Sequence, residues 1–450
     1  SDLFSPGYFS VFMKGNETVC LTADINQTPQ YTACLLPEIP LEVSKDPVTF
    51  EKSLRDALNS FIVKRNHLKS VISGYPWFLD WGRDALIFSR GLIQAGMIRE
   101  ASDILKLFGG FEDHGTLPNM IHGKNTGNRD TSDAPLWFVI ACSDLIKREN
   151  SPIFLSERCS NRTIKDILLS IGHSYISGTA NHIRMDGASG LIYSPACFTW
   201  MDTNHPACTP RRGYCIEIQA LWYAALDFLS TVEKNGGHDW ETLAKTVAQS
   251  ITDLFLLKNE YLADCLHASD KDPAKNGLPD DALRPNQLLA ITLGAVPDTA
   301  VGKAVLDACQ SLLVPGAIRS LTDAPTIYPL EIIHNRTAIN NPHYPYRGVY
   351  AGDEDTGRKP AYHNGSAWTW LFPAYCEAYA KVYGEKGIAT ASSLLLSSLE
   401  LIREGCMGHF PEILDGDYPH TQKGCDAQAW GLSEWLRVWD FLKRGNGQTV

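Results

Sequence analysis

The sequence predicts an all-α fold, an (α/α)6 barrel or six-hairpin toroid preceded by a short β-like segment, and three observations carry that expectation. Apolar residues recur at the 3.6-residue period of amphipathic helices from Phe50 through Val438. No strand-like run of comparable length interrupts them. No internal repeat of about 20–50 residues marks a solenoid, the competing helical architecture.

Taken in order, residues 1–47 read as a β-like segment and linker, and 48–450 as the helical domain. Tyr8-Phe-Ser-Val-Phe-Met and Thr18-Val-Cys-Leu-Thr alternate around Lys14-Gly-Asn-Glu as a hairpin does, and Pro37, Pro40 and Pro47 mark the linker. This stretch reads as the tail of a small β module. Stripes over Phe50–Val63, Ala85–Met97, Arg99–Phe108, Ala134–Lys147, Ile164–Ile183 and Glu217–Asn235 come first. Trp240–Leu257, Pro285–Leu293, Ala300–Leu312, Ala367–Tyr383, Lys386–Glu404 and Asp426–Leu442 follow, for roughly twelve helices. Gly109-Gly110 and Gly236-Gly237 read as helix stops.

The composition of the 450 residues narrows the function classes. A net charge of -11 argues against nucleic acid or an anionic membrane as partner, because either needs a basic face. No apolar run of about 18 residues spans a bilayer. Twelve scattered cysteines in a chain of this size favour free thiols in a reducing compartment, hence a cytoplasmic location. Sequons at Asn16, Asn26, Asn161, Asn335 and Asn364 make secretion the alternative.

Three acidic segments flanked by aromatics suggest the chemistry. Tyr75-Pro-Trp-Phe-Leu-Asp-Trp-Gly-Arg-Asp84, Thr199-Trp-Met-Asp202 and Phe410-Pro-Glu-Ile-Leu-Asp-Gly-Asp417 set carboxylates among rings. Ring faces stack on pyranose faces while carboxylates and arginines take hydroxyls. Trp81, Arg83 and Asp84 read as a sugar clamp, or in plain structural terms as a helix cap with an ion pair. Asp202 with Trp200, and Glu217 in the loop that follows, have capping as the same alternative. Glu412, between an aromatic and Ile-Leu, is placed for a semi-buried catalytic role, whereas Asp415-Gly-Asp417 reads as a turn. His363 and Trp368, at the edge of Tyr362-His-Asn-Gly-Ser-Ala-Trp-Thr-Trp, read as sugar-facing. Cys197, His205, Cys208 and Cys215 lack the paired spacing of a zinc site, so no metal is assigned.

These segments, with Gly115-Thr-Leu-Pro-Asn, Thr131-Ser-Asp-Ala-Pro-Leu-Trp-Phe-Val, Ile216-Glu-Ile-Gln-Ala-Leu-Trp-Tyr, Leu283-Arg-Pro-Asn and Gln428-Ala-Trp, resemble the amylo-alpha-1,6-glucosidase domain of glycogen debranching enzymes. The motifs stand in the family's order across about residues 50–440. The resemblance implies an (α/α)6 barrel related to glucoamylases and inverting hydrolysis of α-1,6-linked glucose from glycogen or branched α-glucan oligosaccharides. It needs no cofactor. It also implies Asp202 as general acid, Glu412 as general base, and Arg83 with Asp84 as the pair holding the non-reducing glucose. Asn364-Gly-Ser-Ala-Trp and Trp81-Gly-Arg-Asp-Ala depart from the family's usual wording, which bears on subsite detail. The family's larger members add a glucanotransferase barrel that nothing here resembles. A glucoamylase-like or trehalase-like exo-α-glucosidase is the alternative within enzymes, and a non-catalytic glucan-binding module the alternative outside them.

Overall fold

Helices that bury every side and helices that bury one stripe alternate along this chain, and that difference sorts them into two layers. The computed structural model describes residues 47–234, 236–258 and 261–445, which fall in one compact unit. The expected β-like segment, with Cys20, Cys34, Asn16 and Asn26, lies outside the described residues. Thirteen α-helices are described: α1 Pro47–Leu58, α2 Gly82–Gln94, α3 Ile98–Gly109, α4 Ala134–Glu149, α5 Ile164–Ser177, α6 Ile216–Val232, α7 Trp240–Phe255, α8 Leu288–Thr292, α9 Thr299–Gln310, α10 Lys359–Tyr362, α11 Phe372–Tyr383, α12 Glu385–Leu396 and α13 Ala429–Gly445.

In α2 every residue from Gly82 to Ile93 is buried, and α13 is buried without a break from Ala429 to Val438. Such helices have no solvent face and belong to an interior. By contrast α3 buries Ala101, Ile104, Leu105 and Phe108, an i, i+3, i+4, i+7 stripe, and α7 buries Trp240, Ala244, Val247 and Ile251. The packing follows from this. Helix α2 packs on α4, α4 on α6, α6 on α8, α8 on α11, α11 on α13, and α13 back on α2. The one-striped helices lie against them, α3 on α2 and α4, α7 on α6, α9 on α8 and α11, and α12 on α11 and α13. The α2–α13 contact is close because Gly91 has no side chain: a Cβ there would stand 2.5 Å from the Cβ of Ser433.

Most expected helices form, with different ends. The Phe50–Val63 stripe stops at Leu58, and Ile62 and Val63 enter a hairpin strand paired with Leu68–Val71. The 164–183 stripe ends at Ser177, before Gly178 at φ +100°. Ala367–Trp368 is a strand rather than the start of α11, and 397–403 continues from α12 as 3-10 helix.

Short strands between the helices hold the future site. Ala367–Trp368 and Ile413–Leu414 are neighbours in a five-stranded antiparallel sheet, with Trp368 opposite Ile413. Asp80–Trp81 pairs with Met120–Ile121 and leads into α2; Gly74–Tyr75 pairs with Ala427–Gln428, which leads into α13. Each pairing fixes a residue immediately before a helix. No helix among the described residues is long and apolar enough to cross a membrane.

Candidate active site

A cleft of about 610 Å³ opens where these helix starts converge. Trp81, Arg83, Asp84, Trp200, Asp202, His363, Trp368 and Glu412, drawn from segments more than 300 residues apart in sequence, all line it. Its floor is buried, and Trp77, 58 % exposed, stands at its rim.

Glu412 precedes the strand Ile413–Leu414 and is 2 % exposed. Its Oε1 accepts from the Tyr362 hydroxyl and, at 3.3 Å, from Gln428 Nε2; its Oε2 accepts from the Cys425 N–H at 2.9 Å. Burial pushes the carboxyl up to about 7, and these donors, which favour the charged form, pull against it. Gly424 makes the approach possible: at φ +73°, its Cβ would lie 2.3 Å from Glu412 Oε2.

Arg83 and Asp84 sit in the first turn of α2, whose preceding residue, Trp81, supplies no cap. Arg83 Nε donates to Asp133 Oδ2 at 2.6 Å and Nη1 to Asp202 Oδ2 at 3.2 Å. Asp133 is itself held by the Thr131 hydroxyl at 2.7 Å. Burial raises Asp84 to about 8, against the pull of Arg83 and with the push of Asp202 and Glu412. Burial also raises Asp202, opposed chiefly by Arg83. The Asp202 side chain is 26 % exposed, against 3 % for Arg83, so it is the more open of the pair.

Rings enclose the acids. Trp200 meets Trp368 edge-on at 5.0 Å, and His363 stacks on Trp368 at 5.3 Å. Burial, reinforced by Arg284, Arg83 and Arg211, drives His363 well below its ordinary value, so the imidazole is neutral. Its Nδ1 lies 3.0 Å from the Thr203 hydroxyl. Its Nε2, like Arg83 Nη2, Gln428 Oε1 and Trp430 Nε1, is buried without a hydrogen-bond partner. All four of these side chains line the cleft. Orphaned buried polar atoms are costly and rare. A hydroxyl-rich ligand would satisfy them.

Glu217 corrects the sequence reading, because it does not line the cleft. In the first turn of α6 it is 1 % exposed and takes a two-pronged ion pair from Arg211, at 2.5 and 2.7 Å. Arg211 also donates to Asp264 at 2.6 Å and to the Thr199 hydroxyl at 3.0 Å. Asn286 joins the network to the site, donating to Asp264 at 2.7 Å and accepting from Trp200 Nε1 at 2.8 Å. The role visible for Glu217 is thus to hold the loop that carries Trp200 and Asp202. Asn364 is likewise structural: it is 1 % exposed and bonded to Arg284 and to the carbonyls of Cys208 and Pro360, which leaves that sequon no room for a glycan.

Sequence reasoning assigned no role to Asp133, Tyr362 or Gln428. All three lie within quoted motifs, Tyr362 as the residue immediately before His363. What the sequence lacked was the pairing of Tyr362 and Gln428 with Glu412, and of Asp133 with Arg83, each across at least 16 positions.

Residues 56–437 match the family model of amylo-alpha-1,6-glucosidase. A glycogen debranching enzyme of Saccharomyces cerevisiae is 24% identical over 411 residues, covering 71% of this chain and 26% of that protein. The chain thus spans about a quarter of the length of that relative. Among solved structures, a GH63 mannosylglycerate hydrolase from Thermus thermophilus in complex with glucose aligns with a TM-score of 0.58 at 12% identity, covering 87% of this chain and 99% of that one. A single-residue variant of a glycosidase, in complex with glucose, aligns with a TM-score of 0.58 at 11% identity, covering 87% and 96%. These two likenesses speak to the fold.

Proposed function

This chain belongs to the amylo-alpha-1,6-glucosidase family and is a glycoside hydrolase, and from that premise we propose that it removes single α-1,6-linked glucose stubs from glycogen-like glucans with inversion at the anomeric carbon. The cycle of helix contacts α2–α4–α6–α8–α11–α13 is then the inner ring of an (α/α)6 toroid, and the cleft its mouth.

The observation that carries this reading is the meeting of Asp202 and Glu412, 210 positions apart, in one aromatic cleft with unlike surroundings. An inverting glycosidase needs one acid to protonate the leaving oxygen and one carboxylate to activate water on the opposite face of the sugar. Three donors converge on Glu412, which suits a group that works ionised, as the base. Asp202 has one neighbouring cation and more open surroundings. A sugar that fills the cleft removes its remaining solvent, favours its protonated form, and suits it to act as the acid. In this reading the unpartnered Arg83 Nη2 and His363 Nε2 take hydroxyls of the glucose, and Trp81, Trp200 and Trp368 on the lining wall its ring.

The test is hydrolysis of a glucosyl-α-1,6-branched maltooligosaccharide beside a linear α-1,4 chain and trehalose. The branched substrate is expected to be the preferred one, and Asp202→Asn and Glu412→Gln to lose at least about 100-fold in kcat. Preference for either control, or a variant with full turnover, contradicts the reading.

A further inference from the structure

A second cavity, of about 800 Å³, lies beside the catalytic cleft and shares no lining residue with it. Both volumes fall in the roughly 300–1,000 Å³ range of small-ligand pockets. The wall between them is one loop thick. Thr203 faces the cleft, Cys208 faces the cavity, and the Cys208 N–H donates to the Thr203 carbonyl at 3.3 Å. Thr209, on the cavity side, has its hydroxyl 3.5 Å from Nδ1 of His363 on the cleft side.

The cavity's chemistry resembles the cleft's without the acid pair. Tyr328 and His267 stack face to face at 4.1 Å and 2°, and His267 is anchored by buried Asp280 at 3.0 Å, which makes a fixed aromatic platform. Leu278, 62 % exposed, adds apolar surface. Neither the Arg212 guanidinium nor the Tyr328 hydroxyl makes a hydrogen bond with the described residues, although Arg212 is exposed on the lining. An anion is poorly served here. Arg211 and Arg284 on the lining are already paired with buried Asp264, Arg211 with Glu217 as well, and Arg212 shares the lining with Asp272 and Glu331. An aromatic platform with free polar groups and no net positive field fits a neutral, hydroxyl-rich chain.

We infer that this cavity binds a second arm of the branched substrate, the α-glucan chain that carries the stub, while the stub occupies the cleft across the loop of residues 203–209. The inference rests on the debranching reading for the identity of the ligand. A branch point joins the stub to the chain that carries it, and two adjoining sites one loop apart would hold stub and chain together, lowering KM for polymer through added contacts rather than changing the chemistry at the stub.

The test compares the full chain with Arg212→Ala and Tyr328→Ala in two measurements: retardation in native gels containing glycogen, and kinetics on a branched limit dextrin against α-glucosyl fluoride, which fills only the cleft. We expect each substitution to weaken retardation and raise KM for dextrin about 10-fold, the effect of losing roughly one good contact. Kinetics on the fluoride should stay unchanged. Unchanged retardation and dextrin KM overturn the inference. Equal losses on both substrates also overturn it, because they would mean that the cavity merely props up the shared loop. If the unaltered chain hydrolyses neither substrate, the debranching reading fails, and the gels still decide whether the cavity holds glucan.

Discussion

Tyr362 bears on the reaction more directly than any residue that sequence reasoning left without a role. Its hydroxyl is a donor to Glu412 Oε1, and a hydrogen bond to the charged form lowers a carboxyl's pKa. Glu412 sits at about 7 with that bond in place. Removing it in Tyr362→Phe raises the carboxyl further, so Glu412 in the proposed role of base becomes available only at higher pH. The acid limb of kcat/KM, which reports the free enzyme, is expected to move up by about one pH unit, with activity near pH 6 falling about 10-fold and activity at high pH largely kept. A pH–rate profile checks this. A limb that stays in place, or moves down, would mean that another group governs it. Tyr362 itself stays protonated throughout, since burial and the Glu412 charge push it well above its ordinary value.

At the scale of elements, the loop carrying Asp202 is held by a buried ionic lattice rather than by its own sequence. Glu217 on α6, Arg211 and Asp264 are each no more than 2 % exposed, Arg211 donates to both carboxylates, and the lattice reaches Thr199 directly and Trp200 through Asn286. Removing one partner leaves a buried charge uncompensated, which costs about 3–5 kcal/mol. Glu217→Ala should therefore lower stability to denaturant by about that amount. If Glu217 contacted sugar instead, the variant would keep its stability and raise KM alone. The same lattice explains why the sequence misled. An acid after a loop and beside Trp and Tyr looks alike whether it meets a ligand or an arginine six positions earlier, and Arg211 was visible only as one of a pair in Pro-Arg-Arg. Strand ends were missed for a related reason. Ala367 and Trp368 suit a helix, and only the partners Ile413 and Leu414, about 45 positions away, make them a strand.

For the whole molecule, what was legible followed from local periodicity. Stripes such as that of α3 are properties of consecutive residues, so helix existence could be anticipated, whereas the interior position of α2 and α13 could not, because Arg83, Asp84 and Arg90 in one and Glu434 and Arg437 in the other are buried charges that read locally as a polar face. Which helices touch is set by side-chain fit across the chain, as where Gly91 admits Ser433. Eight of the nine candidate site residues line one cleft because aromatics and acids in loops at helix starts share one end of such a packing; Glu217 shares the position but turns inward. The excess of acidic over basic residues, 51 against 40, is consistent with a neutral substrate, since the cleft lines its three cations with four carboxylates and two of the second cavity's three arginines are paired with buried Asp264.

The central claim, that Asp202 and Glu412 act from opposite sides of a glucose held in the cleft, is tested most directly by the configuration of the released sugar. Proton NMR in the first minutes of turnover of a glucosyl-α-1,6-branched maltooligosaccharide should show β-glucose forming first, with the α anomer growing only as mutarotation proceeds. Initial α-glucose would mean that one carboxylate attacks carbon directly, and would contradict the assignment of Glu412 as a base acting through water.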